Sequence, residues 1–433
     1  VRAAFITFGC KANQYDTERI RGELTASGVE WVASPEAGAD VVVVNTCVVT
    51  HEAEHEARRR IARLHRDHPD ARIVVVGCAT AVDPAPYQTL PGVSAAIGGH
   101  DPEAIAKTVL PQRAPVQIRD LRGQGAQQPR SRAWLGIQDG CDRKCTFCAT
   151  RVARGKSRSR SADDLVAEAQ GLARWHPEIV LTGIHIGHYG DRDFPLSSLV
   201  GQLLDSVPKI RFRLGSIEAT EVDDRLLDLL VESEGRLVPH LHLPLQSGAD
   251  AVLRRMRRWH TCEMYRQRVL EIAARMTRAG LVTESGQPVL GMGADIITGF
   301  PGETDADHAE TVALVNELPF TYLHVFPFSP REGTLAADMA RENPIPHPIA
   351  AARARELREL GQAKGEAYLA ARVGSRARVV VERPREGADV MGLTEDYLRL
   401  PVEGVGGELG PRLVSGTIEQ DEGRVFVRVG SLP

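Results

Sequence analysis

Cys141-Asp-Arg-Lys-Cys145-Thr-Phe-Cys148 is the stretch on which the reading of this chain turns. Three thiols within eight residues wrap one face of a metal centre when the chain there is a loop, and thiolates are the usual protein ligands of iron–sulfur clusters. A 4Fe–4S cube takes four ligands and this segment offers three, which leaves one iron open to a non-protein ligand. The alternative is a zinc site. Zinc prefers four protein ligands, usually as paired knuckles, and no fourth ligand with paired spacing accompanies these three. The loop follows a strand-like run over 134–138.

Outward from that loop, strand-like runs recur over 178–181, 211–214, 240–245, 294–298 and 322–326, separated by helix-sized intervals, with 254–279 mostly helical. Six β/α units in order predict a parallel barrel, incomplete at this number of strands. Residues 347–372 read as one long helix rich in Ala, Arg and Glu. Beyond it, runs over 376–382, 388–393, 397–402, 412–419 and 424–429 alternate between Gly-rich turns, which predicts a small all-β tail, a five-stranded barrel of the oligonucleotide-binding type.

The first 110 residues also alternate: strands over 3–8, 41–45 and 73–76, helices over 17–27, 52–65 and 101–109. This predicts a doubly wound α/β unit. Cys10, Cys47 and Cys78 each follow one of those strands. In a parallel sheet such positions share the edge where α/β proteins bind ligands, so three thiols distant in sequence are expected to converge. The plainer reading is three unrelated buried cysteines. Cys262 stands alone and reads as structural. The domain division expected is 1–110, a Gln-, Gly-, Pro- and Arg-rich linker over 111–132, a core over 133–371 and the tail over 372–433.

Composition narrows the class. The 433 residues are 42% hydrophobic and 25% charged, as in ordinary globular proteins, and the net charge of −4 neither suggests nor excludes nucleic acid. Apolar runs are too short to span a bilayer. The chain opens on Val1 without a charged-then-apolar leader, and seven cysteines is an odd number, so reduced thiols in a cytoplasmic protein with no membrane association are expected. Arg151, Arg154, Lys156, Arg158 and Arg160 place five cations in ten positions directly after the thiol loop. Phosphate contact is the functional reading and a solvated face the plain one; placement beside the loop favours RNA, with Arg154, Lys156, Arg158 and Arg160 as the contacts. Arg254, Arg255, Arg257 and Arg258 read as helix surface, and His240 and His242 share one strand face.

Two three-Cys sites on an α/β unit and a barrel, followed by a β tail, resemble the radical S-adenosylmethionine methylthiotransferase family over nearly the whole chain. The motifs are the loop 141–148, Phe8-Gly-Cys-Lys-Ala-Asn-Gln-Tyr-Asp-Thr-Glu18, Asn45-Thr-Cys-Val-Val-Thr50, Gly77-Cys78, Arg154-Gly-Lys-Ser-Arg-Ser-Arg160, Leu241-His-Leu-Pro-Leu-Gln-Ser-Gly248, Ala294-Asp-Ile-Ile-Thr-Gly-Phe-Pro-Gly-Glu-Thr304 and Val325-Phe-Pro-Phe-Ser-Pro-Arg331. The tail resembles an RNA-binding TRAM domain. Of three branches, acting on isopentenyl-adenosine of tRNA, a ribosomal-protein aspartate or threonylcarbamoyl-adenosine at position 37 of tRNA, the segments Cys10-Lys-Ala-Asn-Gln-Tyr15 and Leu181-Thr-Gly-Ile-His-Ile-Gly-His-Tyr-Gly190 look most like the third. Departures at Cys148-Ala-Thr-Arg-Val-Ala-Arg154, where an Ile-Pro-Tyr core is more usual, and at Gly215-Ser-Ile-Glu-Ala219 remove no ligand.

The resemblance implies two 4Fe–4S clusters, one on Cys141, Cys145 and Cys148 that reduces S-adenosylmethionine to a 5′-deoxyadenosyl radical, and one on Cys10, Cys47 and Cys78 that presents sulfur. The inert C–H bond at carbon 2 of adenine explains why a cofactor must carry the hard step. It further implies that Phe147, Thr182, Gly183 and Glu218 surround S-adenosylmethionine, that the substrate is a tRNA anticodon loop, and that an electron donor such as flavodoxin or ferredoxin serves the first cluster. Rival readings are a radical enzyme whose Cys10, Cys47 and Cys78 bind nothing, and an RNA-binding protein with a structural metal.

Overall fold

The chain opens with β1 (Arg2–Thr7), α1 (Lys11–Ala26), β2 (Glu30–Trp31), β3 (Val41–Thr46), α2 (His51–Asp67), β4 (Arg72–Gly77), α3 (Cys78–Val82), α4 (Ala85–Gln88), β5 (Val93–Ala96) and α5 (Pro102–Val109). The five strands pair in parallel in the order β2-β1-β3-β4-β5. Alternation along the Val-rich β3 builds both layers: Val41 and Val43 pack with Ile20, Leu24 and Ile105 on one face, Val42 and Val44 with Ile61, Leu64 and Tyr87 on the other. The sheet is doubly wound, with β2 and β5 added to the three expected strands. α1 begins at Lys11, six residues before the helix expected over 17–27. Its early inward residues, Asn13, Asp16 and Thr17, are buried polar groups, so the apolar period that marks a helix was missing there.

This computed structural model describes residues 1–110, 128–383, 387–405 and 410–430. Most of the expected linker, 111–127, therefore lies outside the described residues.

The core follows as β6 (Ala133–Gly136), β7 (Gln138–Asp139), α6 (Thr150–Arg154), β8 (Arg158–Ser159), α7 (Ala162–Leu172), β9 (Glu178–Thr182), α8 (Leu196–Ser206), β10 (Arg211–Leu214), α9 (Asp224–Glu232), β11 (His240–His242), α10 (Asp250–Arg255), α11 (Cys262–Arg278), β12 (Gly291–Thr298), α12 (Asp305–Glu317) and β13 (Tyr322–Pro327). Parallel sheets β6-β9-β10 and β11-β12-β13 are joined by bridges Phe212–Leu237 and Ser216–His242, giving six strands of an open barrel. Two expectations change. The strand over 134–138 breaks at Ile137, where β7 turns away to pair with β8. The helical stretch over 254–279 is interrupted between α10 and α11, with Arg257 at φ +56°, and this break supplies side chains to the site.

The N-terminal sheet spans the open side of the barrel. Tyr15 of α1 packs with Trp134 and Val180, and so tightly on β6 that a Cβ at Gly136 would lie 2.3 Å from its ring. At the other edge His51 Nε2 lies 2.6 Å from the carbonyl of Pro330, and Arg331 donates to Glu54 at 2.8 Å.

After α13 (Leu335–Glu342) and the long α14 (His347–Arg372), strands β14 (Arg376–Val381), β15 (Met391–Thr394), β16 (Arg399–Glu403), β17 (Arg412–Asp421) and β18 (Arg424–Arg428) close a small barrel in the order β14-β15-β16-β18-β17. It docks through Arg211 and Arg213. Both are fully buried, share Glu178, and donate onward to the carbonyls of Arg378, Leu393, Thr394 and Glu395. No helix among the described residues is long and apolar enough to cross a membrane.

Candidate functional site

The loop after β6 carries Cys141, Cys145 and Cys148, and its surroundings fix it at several points. The amide of Cys141 donates to Gly155 O at 3.1 Å, and that of Thr146 to Met256 O at 3.0 Å, so the break between α10 and α11 is the shelf on which the loop rests. Phe147 sits edge-on to Phe300 with centroids 6.5 Å apart, beside the apolar cluster of Val252 and Met256. Cys141 Sγ lies 3.5 Å from His185 Nδ1, and the guanidinium of Arg258 donates to Cys145 Sγ at 3.8 Å. Burial pushes the Cys145 thiol up to about 11, and the Arg258 charge pulls it back.

Cys10, Cys47 and Cys78 follow β1, β3 and β4, on one edge of the parallel sheet. Asn13 holds all three ends together. Its Nδ2 donates to Phe8 O and Thr46 O, both at 2.9 Å, and its Oδ1 accepts from Cys78 Sγ at 3.3 Å. The close approach requires glycine before the first and third thiols. A Cβ at Gly9, φ +93°, would stand 2.6 Å from Cys47 Sγ, and one at Gly77, φ +112°, 2.4 Å from Asn45 Oδ1. Burial raises Cys47, and pushes Cys78 up to about 12 against the opposing Arg154 guanidinium.

The two sets adjoin. Ala149, the residue after Cys148, packs on Cys78 and Val48. α6 then leads to Arg154, whose Nε donates to Cys78 Sγ at 3.2 Å while its other nitrogens bind Asp16 at 2.6 Å, Asn13 at 2.7 Å and Asp139 at 2.9 Å. Three thiols per site, each site with one guanidinium donating to a sulfur, suit a metal–sulfur cluster with one open position; an imidazole lies against one sulfur of each set, His185 at 3.5 Å from Cys141 and His100 at 3.8 Å from Cys78. All seven cysteines are free.

Residues 2–98 match the uncharacterized protein family UPF0004, and residues 135–315 match the radical SAM superfamily. The threonylcarbamoyladenosine tRNA methylthiotransferase MtaB of Bacillus subtilis (strain 168) is 33% identical, over 98% of this chain and 96% of its own. The chain belongs to the radical S-adenosylmethionine methylthiotransferase family. It is of MtaB type: the MtaB protein of Rickettsia prowazekii (strain Madrid E) is 34% identical over 88% of each chain, against 31% over 87% of this chain and 73% of the other for the tRNA-2-methylthio-N(6)-dimethylallyladenosine synthase of Oceanobacillus iheyensis. In fold, it is similar to the radical S-adenosylmethionine methyltransferase TsrM of Kitasatospora setae, with a TM-score of 0.55 at 14% identity over 79% of this chain and 76% of that one.

In this methylthiotransferase Thr182 ends β9, Gly183 follows it, and both line a cavity of about 210 Å³ with Tyr15, Asp16 and Gln138. Gln138 ties them to the thiol loop: its Nε2 donates to Gly140 O at 2.7 Å, its Oε1 accepts from Ile184 N at 3.1 Å and His185 N at 2.8 Å. Glu218 is buried in an ion pair with Arg258. That pair corrects the reading of Arg258 as helix surface, since it lies in the break after α10.

The basic run separates into two groups. Lys156 and Arg158 are exposed, Arg158 within 3.3 Å of Asp139. Arg154 is buried, and its guanidinium is taken up inside the protein rather than offered to phosphate. Arg160 donates to Gly136 O at 2.9 Å and Glu168 at 2.7 Å, and so holds β6 to α7. Arg154 is drawn inward by Asp16, 138 positions away in sequence, and Arg160 is engaged by Glu168, eight positions on. Sequence reasoning also missed Asn13, Gln138 and the pair His185–Glu221 at 2.8 Å. For Asn13 a signal existed, an amide three residues after a cysteine at a helix start. His240 and His242 both bond the Tyr322 hydroxyl, at 2.8 and 3.0 Å, inside the barrel. Cys262 starts α11, its amide on Asp250 at 2.7 Å.

Proposed function

We propose that this protein transfers a methylthio group to carbon 2 of N6-threonylcarbamoyl-adenosine at position 37 of tRNA. The observation that carries the reading is the contact of Ala149 with Cys78, which puts two three-thiol sites side by side in a chain of MtaB type. Cys141, Cys145 and Cys148 would hold one 4Fe–4S cluster with S-adenosylmethionine on its open iron, and Cys10, Cys47 and Cys78 the other. When bound, these groups supply a carbon-centred radical that removes the hydrogen and a sulfur that replaces it.

The chain's own residues position and shield. Arg258 and Arg154 place a cation beside one sulfur of each site, which offsets the cost of buried negative charge. Gln138 fixes the loop of Cys141 against Thr182 and Gly183, where the amino end of S-adenosylmethionine would lie. Glu218, four residues beyond β10, is held by Arg258, the same guanidinium that donates to Cys145. Phe147 and Phe300 keep water from the back of the loop.

Residues 1–110 form the unit of the second cluster, 133–371 the radical core and 372–433 the RNA-binding tail. Lys156 and Arg158 would meet phosphates of the anticodon loop, a donor such as flavodoxin or ferredoxin would supply electrons, and the cytoplasm is the compartment in which that chemistry and reduced thiols coexist.

Anaerobically reconstituted protein, given S-adenosylmethionine, reductant, sulfide and threonylcarbamoylated tRNA, should yield the methylthio nucleoside by mass spectrometry of the digested tRNA. Abundant 5′-deoxyadenosine with unmodified nucleoside would retain the radical enzyme and overturn the substrate.

A further inference from the structure

One cation near the second thiol site makes no ion pair among the described residues. Lys11 follows Cys10 directly and opens α1. Its side chain is directed away from the N-terminal sheet, into the barrel, where Nζ lies 5.9 Å from the ring centroid of Tyr397 on the C-terminal barrel. Among the described residues no hydrogen bond or ion pair reaches it. Its surroundings deepen the imbalance. The Tyr397 ring also faces the Arg213 guanidinium at 5.4 Å, and Arg132, Arg211 and Arg213 converge on a single carboxylate, Glu178, at 3.5, 2.5 and 2.8 Å. Asp295 is already shared by His242 at 3.0 Å and His324 at 3.2 Å. Glu178 and Asp295 therefore act on Lys11 only from a distance, and of the cations named it is the one that no carboxylate pairs directly.

An unpaired cation in a partly enclosed space is costly unless a ligand brings the missing charge. We propose that Lys11 receives the carboxylate of the threonyl group on N6 of the substrate adenosine, and so is a specificity-determining residue. The inference rests on the substrate reading above. Its chemistry separates the tRNAs on which relatives are named: a threonylcarbamoyl substituent ends in a carboxylate, whereas a dimethylallyl substituent is apolar and leaves the lysine unpaired. Position adds to this, because Lys11 is next in the chain to Cys10, and its Nζ lies 5.9 Å from the Tyr397 ring, an aromatic face that tolerates a cation.

The test compares anticodon stem-loops carrying threonylcarbamoyl-adenosine, its methyl ester, or unmodified adenosine, by fluorescence anisotropy on the reconstituted full chain. The wild type should bind the acid roughly 10- to 100-fold more tightly than the ester, as expected of a charge-assisted hydrogen bond. Lys11→Gln should lose that ratio while keeping the iron content of the wild type, and Lys11→Arg should keep most of it. The ester arm needs no substitution, so it decides even if Lys11→Gln assembles poorly. A wild type that modifies threonylcarbamoylated tRNA yet binds acid and ester alike overturns the role of Lys11 alone, as does a Lys11→Gln variant with an undiminished ratio. A wild type that leaves that tRNA unmodified overturns the substrate reading, and this inference with it.

Discussion

The two thiol sites reach the same donor set by opposite routes. Cys141, Cys145 and Cys148 are neighbours in sequence, and the fold has only to keep their loop open and rest it on Met256 and Phe300. Cys10, Cys47 and Cys78 are brought together by three parallel strands, two glycines in the left-handed region and the single side chain of Asn13. The first site is a property of a segment and the second a property of a folded sheet. Anything that loosens the sheet should therefore strike the second while sparing the first.

The largest expected effect separates the sites outright. Cys148→Ala and Cys78→Ala should each abolish methylthio product and lower iron from about eight to about four per chain. They should differ in 5′-deoxyadenosine: Cys148→Ala makes none, whereas Cys78→Ala continues to make it. Equal loss of 5′-deoxyadenosine in both would mean that the two sites do not work separately.

Next in size is the link between them. Arg154→Met removes the cation that joins Cys78, Asn13, Asp16 and Asp139, leaving the buried Asp16 carboxylate without its guanidinium. Breaking a buried pair from one side costs roughly 3–5 kcal/mol, measurable as a lower midpoint in urea. Adding Asp16→Asn should restore part of it, since the orphan charge is then gone. If Arg154 instead served RNA phosphates, as a basic run suggests, stability would hold and only the salt dependence of tRNA binding would change.

That contrast shows what sequence conveys. The thiol loop was legible because all three thiols lie in one segment, and the strand ends were legible because Val-rich runs mark buried parallel strands and a cysteine follows each of them. The barrel order and the β tail followed from the same rhythm. Arg154, Arg160 and Arg258 were misjudged because the setting of a charge is decided by its partners: Asp16 and Glu218 lie far from Arg154 and Arg258 along the chain, and Glu168, eight positions from Arg160, meets it only once α7 is in place. Short exposed strands such as β2, and a helix start whose inward face is polar, carry no period to detect. The break between α10 and α11 was hidden for a related reason: helix-forming residues flank it, and only the left-handed Arg257 marks the turn.

The smallest effect concerns acid, and it sharpens the comparison from the side of the local site. His176 is buried where the chain enters β6, and its Nε2 accepts from the Gln128 amide at 3.1 Å. Gln128 in turn holds Trp134, its Oε1 accepting from that amide at 2.8 Å and its Nε2 donating to that carbonyl at 3.0 Å. Burial lowers His176 to about 4, from an ordinary value of 6.5. The unfolded chain thus takes up a proton near pH 6.5 that the folded chain refuses until about 4, so the stabilisation is complete above pH 6.5 and is lost as pH falls between those values, by at most about 3 kcal/mol. A protonated ring can no longer accept from Gln128, so the lead into β6, and with it the thiol loop, should loosen first. His100 packs 3.6 Å from Asp16 on the other side and gives the sheet an acid response of its own, so the informative quantity is a difference. Between pH 7 and pH 5, hydrogen exchange at the Trp134 amide should accelerate more in the wild type than in His176→Gln, while exchange at Val43 should change equally in both. Parallel behaviour of the two amides in both proteins would show that the lead into β6 is not a separate point of failure, and that the local site depends on the sheet more than its sequence suggests.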